Sequence, residues 1–152
     1  MNNKWAFSAV IFLLFVLNGC QKETLLFEAM DPSDIGMEFS NELGFSKEFN
    51  VYTYRNFYNG GGVSLGDVNN DGLLDVYLTA NQKPNQLFLN KGDWQFENIT
   101  DRAGVAGTRA WSTGVSMVDI NADGWLDIYV ANAGHMMEEE LRKNQYSSTT
   151  MI

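Results

Sequence analysis

Two nine-residue stretches carry the residues best suited to chemistry. Asp67-Val68-Asn69-Asn70-Asp71-Gly72-Leu73-Leu74-Asp75 places oxygen-bearing side chains at its first, third, fifth and ninth positions, and Asp119-Ile120-Asn121-Ala122-Asp123-Gly124-Trp125-Leu126-Asp127 repeats the arrangement. Alternate positions of a tight loop aim side chains at a common point, and calcium is a hard cation that takes six to eight oxygens at about 2.3–2.6 Å. The glycine at the sixth position tolerates the positive φ that lets such a loop turn sharply around an ion. The seventh position of such loops offers its backbone carbonyl, here that of Leu73 and of Trp125. The predicted ligands are therefore Asp67, Asn69, Asp71, Leu73 and Asp75 in one loop, and Asp119, Asn121, Asp123, Trp125 and Asp127 in the other, with Ca2+ as the cofactor. Three carboxylates converge in each loop, and each pair repels by about 1 kcal/mol at 4 Å in water, several-fold more when partly buried. A merely solvated turn has no reason to accept that repulsion twice at matched positions.

The flanks decide what holds these loops. Loops of the EF-hand and dockerin kind need an acidic residue at position twelve and helices on either side. Position twelve here is Leu78 in the first loop and Val130 in the second, and the flanks Val63–Leu65 and Val76–Leu78 are β-branched or apolar, as strands are. A shift of 52 residues lays Gly62-Val63-Ser64 on Gly114-Val115-Ser116 and gives ten identities across the seventeen positions 62–78. That is an internal repeat, and repeats of this period point to stacked supersecondary units. Further along the first unit, Gln86–Leu89 ends at the turn Asn90-Lys91-Gly92, and Trp94–Ile99 alternates apolar with polar as a half-buried strand does. Four short strands in about 50 residues is the pattern of one β-propeller blade.

Composition agrees. The 152-residue chain is 45% hydrophobic and 13% aromatic, enough for a packed core, and its 14 glycines against 2 prolines suit the many tight turns of an all-β fold. The formal charge is −9, and only 10 Lys and Arg are present without forming a stripe, so a nucleic-acid partner is not expected. A single cysteine, Cys20, rules out an intrachain disulfide.

Cys20 follows Lys4, an apolar run from Trp5 to Leu17, and Leu17-Asn18-Gly19. The run has the length of a signal-peptide core and falls short of the roughly 20 residues that a spanning helix needs. Leu-Asn-Gly-Cys resembles the bacterial lipobox, which implies acylation of Cys20 and a membrane partner reached through a lipid anchor. Asn18 departs from the small or β-branched residue preferred there. Gln21-Lys22-Glu23 resembles an export signal of surface lipoproteins, implying an outer-membrane, cell-surface location.

The stretch Gly62–Gly72 with its counterpart 114–124 resembles FG-GAP or VCBS-type repeats of integrin-α-like propellers. Tyr54–Gly62, with Asn85–Asn90, resembles the bacterial lipoproteins of the ASPIC/UnbV and cartilage-acidic-protein-like group, over about residues 36–134. The resemblance implies a seven-bladed propeller, calcium in the blade loops, and extracellular adhesion or binding of a protein or glycan ligand. It implies no catalytic residue.

The fold expected is thus all-β: about one and a half blades of a seven-bladed propeller after an N-terminal signal peptide. Its parts would be a lipoprotein signal peptide (1–19), the lipidated Cys with a tether and a lead-in strand around Phe49 to Phe57 (20–58), a first blade (59–110), a second, incomplete blade (111–145) and an aberrant tail (146–152). The tail earns its name from its codons. TAT TCA TCA ACA ACG ATG would encode Tyr146 to Met151; read one base earlier after a C, they give Leu-Phe-Ile-Asn-Asn-Asp, the strand expected after Asn144-Gln145. A frameshifted or truncated gene is the expectation.

An enzyme would need a site. His135 is the sole histidine, stands outside the repeat and has no Ser or Cys nucleophile beside it, while the repeated aspartates are accounted for by metal ligation. A non-enzymatic binder is therefore the primary reading, and an accessory propeller domain of a larger extracellular glycan-acting enzyme is the alternative.

Overall fold

The computed structural model describes residues 26–107 and 111–132 in full, and the backbone of 149–150. The signal segment, Cys20, His135 and the rest of the tail lie outside the described residues.

The strands form where the alternation places them. β1 (Val63–Gly66), β2 (Asp75–Leu78), β3 (Gln86–Asn90) and β4 (Phe96–Asn98) make one antiparallel sheet in that order. A single helical turn, α1 (Thr100–Ala103), leads toward β5 (Ser112–Val118) and β6 (Asp127–Asn132), which with the two residues of β7 (Thr149–Thr150) form a second antiparallel sheet. The repeat is kept in the pairing. Leu65 faces Val76 across the first hairpin, and Met117 faces Ile128 at the corresponding place in the second. β7 lies beside β6 as β3 lies beside β2, with Thr150 opposite Ile128 where Phe88 stands opposite Val76. The two sheets are successive blades of a partial β-propeller.

The main core lies between the blades. Val68, Tyr77, Leu87 and Leu89 of the first blade and Ile99 and Val105 of the connector bury against Ile128 and Val130 of the second, with Val115 and Met117 at its margin. Successive Leu87, Phe88 and Leu89 are all buried, so β3 is covered on both faces. Tyr77 anchors the connector by donating its hydroxyl to the Val105 carbonyl at 2.6 Å. Hydrogen bonds stitch the blades, among them one from the Asn81 side-chain amide to the Ser112 carbonyl at 2.9 Å. The Met117 N–H donates to Ser64 Oγ at 3.1 Å, and Thr79 Oγ1 donates to the Thr113 carbonyl at 3.3 Å.

The lead-in strand expected around Phe49 to Phe57 is absent; turns take its place. Asn50 is the cause. Its side-chain amide donates to the carbonyls of Ser46 and Lys47, its Oδ1 accepts from the Tyr52 N–H, and its own carbonyl accepts from Thr53 and Tyr54. Local bonds of this kind compete with extended backbone. The turn drops Phe49, Tyr54 and Phe57 onto Trp111 in a second, aromatic core, with ring centroids 5.2–5.7 Å apart. The described part of the expected tether is likewise docked rather than free. The Ile35 carbonyl accepts from the Phe96 N–H on edge strand β4, Gln82 brackets the backbone of Gly44, and Asn41 and Asn81 exchange two hydrogen bonds.

Candidate metal-binding loops

Each acidic loop joins the first two strands of its blade, so the strand ends fix its span. Loop one connects β1 to β2, and loop two connects β5 to β6. Within loop one, Asp67 accepts the backbone N–H of Asp71 at 3.0 Å and of Gly72 at 2.8 Å, one on each carboxylate oxygen. In loop two, Asp119 accepts the N–H groups of Asp123 at 3.1 Å and Gly124 at 2.9 Å in the same way. The third-position asparagines, Asn69 and Asn121, each donate an amide N–H to the fifth-position aspartate, at 2.8 and 2.9 Å. That aspartate in turn accepts the N–H of the seventh residue, Leu73 or Trp125, at 2.9 Å in both loops.

The backbone repeats as faithfully. The fourth residues, Asn70 and Ala122, have φ of 58° and 60°, and the sixth, Gly72 and Gly124, have φ of 88° and 90°. The sixth position falls where L-residues with a Cβ are strained, so glycine is required there for the loop to close.

The ninth-position carboxylates sit apart from the others, at the roots of the loops. Asp75 is fully buried, accepting the Val68 N–H at 2.9 Å and the Asn90 N–H at 2.8 Å. Asp127 is buried as well and accepts the Ile120 N–H at 3.0 Å. Burial pushes the Asp75 carboxyl above the usual range, against the pull of the Asn90 and Val68 N–H groups, and the nearby Asp71 and Asp67 add to the rise. The Asn69 amide and the Leu73 N–H hold the exposed Asp71 below that range.

All ten residues predicted as ligands thus lie on two equivalent loops, with side-chain donors at positions one, three, five and nine and the carbonyls of Leu73 and Trp125 at position seven. As the loops stand, no three His, Cys, Asp or Glu side chains among the described residues are gathered around one point. The hydrogen bonds give the reason: each carboxylate has turned to an N–H of its own loop, and an asparagine amide N–H separates two acids. The donor set nevertheless suits a hard cation, since the side chains offer oxygen and no sulfur or imidazole. A carboxylate oxygen bonded to one N–H keeps further lone pairs, and rotating the Asn69 or Asn121 amide replaces N–H with oxygen.

Three contributors escape the spacing rule. Asn90 supplies both the N–H on Asp75 and a side-chain N–H to the Leu74 carbonyl at 3.0 Å. Asn70 reaches from the first loop to the Gly124 carbonyl of the second at 3.3 Å. Val68 turns its apolar side chain into the core and its N–H onto Asp75. Only Asn90 left a trace in the sequence, as a turn residue.

Stacked antiparallel blades, one of four strands and one with three described, each with an acidic loop between its first two strands, are the pattern of a repeat-type β-propeller. The FG-GAP-like repeat matches residues 67–130, a span that begins at the first loop and ends on β6. Residues 67–130 are thus similar to an FG-GAP-like repeat, and the similarity extends to proteins named cartilage acidic protein 1. It is 37% identical to cartilage acidic protein 1 of Xenopus tropicalis over 78 residues, which is 51% of this chain and 12% of that protein. Against cartilage acidic protein 1 of Homo sapiens it is 37% identical over 76 residues, 49% of this chain and 12% of the relative. The Mus musculus protein of the same name is 34% identical over 73 residues, 48% of this chain and 11% of the relative. The chain thus matches about an eighth of the length of these relatives.

Proposed function

We propose that this chain is a calcium-binding propeller segment that is held at a cell surface by a lipid on Cys20 and serves adhesion or ligand binding. The observation that carries the calcium reading is the duplication. Two loops 52 residues apart present the same oxygen set on the same backbone, with three carboxylates each and, among the described residues, no cationic side chain bonded to them. Calcium would be held by Asp67, Asn69, Asp71, Asp75 and the Leu73 carbonyl in one loop, and by Asp119, Asn121, Asp123, Asp127 and the Trp125 carbonyl in the other. It would supply charge neutralisation and a fixed loop shape, not chemistry on a substrate.

Extracellular modules bind calcium at about 10⁻⁴–10⁻³ M, and a ligand at a hundredfold its dissociation constant stabilises the native state by about 2.7 kcal/mol. The full chain should therefore melt higher in millimolar calcium than in chelator. Asp71→Ala and Asp123→Ala should each remove part of that shift, and both together all of it. A melt that ignores calcium would refute the reading.

An open cleft of about 460 Å³ supports the ligand-binding part. It is lined by Phe45, Ser46, Lys47, Asn50, Val51, Tyr52 and Tyr58. Tyr52 is 95% exposed and Phe45 78%, on a turn that Asn50 pins. Aromatic rings held facing solvent suit stacking on a sugar or an apolar side chain. Glycan and matrix-protein arrays probed with the full chain and with Tyr52→Ala test this: binding that Tyr52→Ala retains in full would remove the cleft from the reading. Cys20→Ala should abolish lipid labelling and release the chain from membranes, and unchanged fractionation with equal labelling would defeat the anchor.

A further inference from the structure

The two loops touch. Asn70, fourth in the first loop, donates its side-chain N–H to the carbonyl of Gly124, sixth in the second, at 3.3 Å. That carbonyl belongs to the peptide unit joining Gly124 to Trp125, and the N–H at the other end of the same unit donates to Asp123 Oδ1 at 2.9 Å. Hydrogen bonds strung through one peptide group polarise one another. A side chain of the first blade thus strengthens and orients the grip on the fifth-position carboxylate of the second. Ala122, at the same left-handed position in loop two, has no donor to offer.

We propose that Asn70 is a positioning residue that couples the two loops, so that an ion in the first tightens the second. The proposal rests on the calcium reading above. Closing Asp67, Asn69 and Asp71 on an ion fixes the backbone on both sides of Asn70. A donor held in place bonds the Gly124 carbonyl for a larger share of the time, and the Trp125 N–H holds Asp123 ready for its own ion. Coupling between binding sites is reciprocal, so an ion in the second loop equally favours the first.

Terbium(III) takes the oxygen ligands of calcium and luminesces when excited through a nearby indole. Trp125 lies in the second loop and Leu73 takes its place in the first, so comparing each variant with and without Trp125→Phe isolates the emission that passes through Trp125, and Asp119→Asn identifies the part of it that comes from the second loop. The full chain would be titrated with terbium as the parent, as Asn70→Ala, as Asn70→Gly, as Asp67→Asn, and as Asn70→Gly with Asp67→Asn. Loss of one hydrogen bond predicts a second-loop midpoint about two- to tenfold higher in both Asn70 variants. The glycine variant separates loss of the amide from backbone strain. Asp67→Asn, which weakens the first loop, should shift the second loop in the same direction, and the double variant should shift it no further than the larger single effect. Unchanged midpoints in both Asn70 variants, or single effects that multiply in the double, would overturn the coupling and leave the calcium reading standing. Absence of calorimetric heat from both calcium and terbium in the parent would overturn both.

Discussion

The two blades are close copies inside their loops and diverge where the loops meet their surroundings. Corresponding hydrogen bonds within loops 67–75 and 119–127 agree to about 0.2 Å, and the left-handed residues agree to 2° in φ. Three of the differences change a contact made outside the loop. Gly66 is answered by Val118, Asn70 by Ala122, and the doubly bonded Asp75 by Asp127 with one described partner. In every case the first blade's residue touches a neighbouring strand or blade: Gly66 packs under Met117 and Leu126, Asn70 meets Gly124, and Asp75 meets Asn90. A local module can be copied whole, whereas its contacts must suit whatever stands next to it. The comparison can be tested at each place.

The root aspartates should show the largest effect. Asp75→Ala strips the partner from two N–H groups, on Val68 and Asn90, and opens a cavity. At about 1–3 kcal/mol for each buried donor left unsatisfied, the loss is about 2–6 kcal/mol. Asp127→Ala orphans one described donor, on Ile120, and should lose roughly half as much. Urea denaturation of the full chain in chelator measures both, and equal losses would break the comparison. The same residue carries a pH signature. Its carboxyl pKa is raised in the folded state, so the folded chain binds more protons than the unfolded one in the window just above the ordinary value of 3.8. Across that window Asp75's contribution to stability falls as pH rises. Asp75→Asn should flatten that part of the profile in chelator, and an unflattened profile would place the slope elsewhere.

Gly66 comes next. A Cβ built there would stand 2.6 Å from Met117 Sδ and 2.8 Å from Leu126 Cδ1. Its φ lies outside the left-handed region, so Gly66→Ala is a purely steric intrusion into the blade boundary. Both atoms belong to flexible side chains that can shift, so the overpacking should cost about 1 kcal/mol, the low end of the usual range. Val118 occupies the matching position on the second blade and is exposed, so Val118→Ala should change stability by no more than about 0.5 kcal/mol. Met117→Ala should relieve much of the Gly66→Ala loss in a double-mutant cycle, because the residues touch. Strict additivity would mean that the blades do not meet as described.

How much of this was legible in the sequence depends on how far apart the partners lie. The loops were legible because oxygen spacing and glycine are local signals, and the strands because Val63–Leu65, Val76–Leu78 and Gln86–Leu89 follow strand patterning between turns. The repeat gave the pairing of each hairpin by equivalence. Phe49–Phe57 misled because its aromatic residues suit a strand equally well. A single side chain, Asn50, decides for turns there, and the rings then find Trp111 more than 50 residues away. The docking of the supposed tether was hidden for the same reason, since Asn41 meets Asn81 and Ile35 meets Phe96 only once the sheet exists. Gly66 and Asn70 looked like ordinary members of a loop motif. Their roles follow from the neighbouring blade, which a spacing rule within one loop cannot see.

The smallest effect expected is at the fourth loop position, and it separates two contributions that are mixed in the first loop. Asn70 and Ala122 share a left-handed backbone, with φ of 58° and 60°. Asparagine enters that region more readily than alanine does, and an L-residue with a plain Cβ loses about 1–2 kcal/mol there. Ala122→Asn should therefore stabilise the chain, by up to about 1 kcal/mol, through backbone preference alone. Asn70→Ala reverses the preference and also removes the bond to Gly124, so its cost should exceed the gain at 122 by the net value of one exposed hydrogen bond, about 0.5–1.5 kcal/mol. Asn70→Gly enters the left-handed region without a Cβ and loses the N–H donor without adding charge, and should cost the bond without the strain. Thermal melts of the three variants in chelator would resolve the sums. If Asn70→Ala costs no more than Ala122→Asn gains, the bond across the blades adds nothing to stability, and the loops are neighbours that do not hold one another.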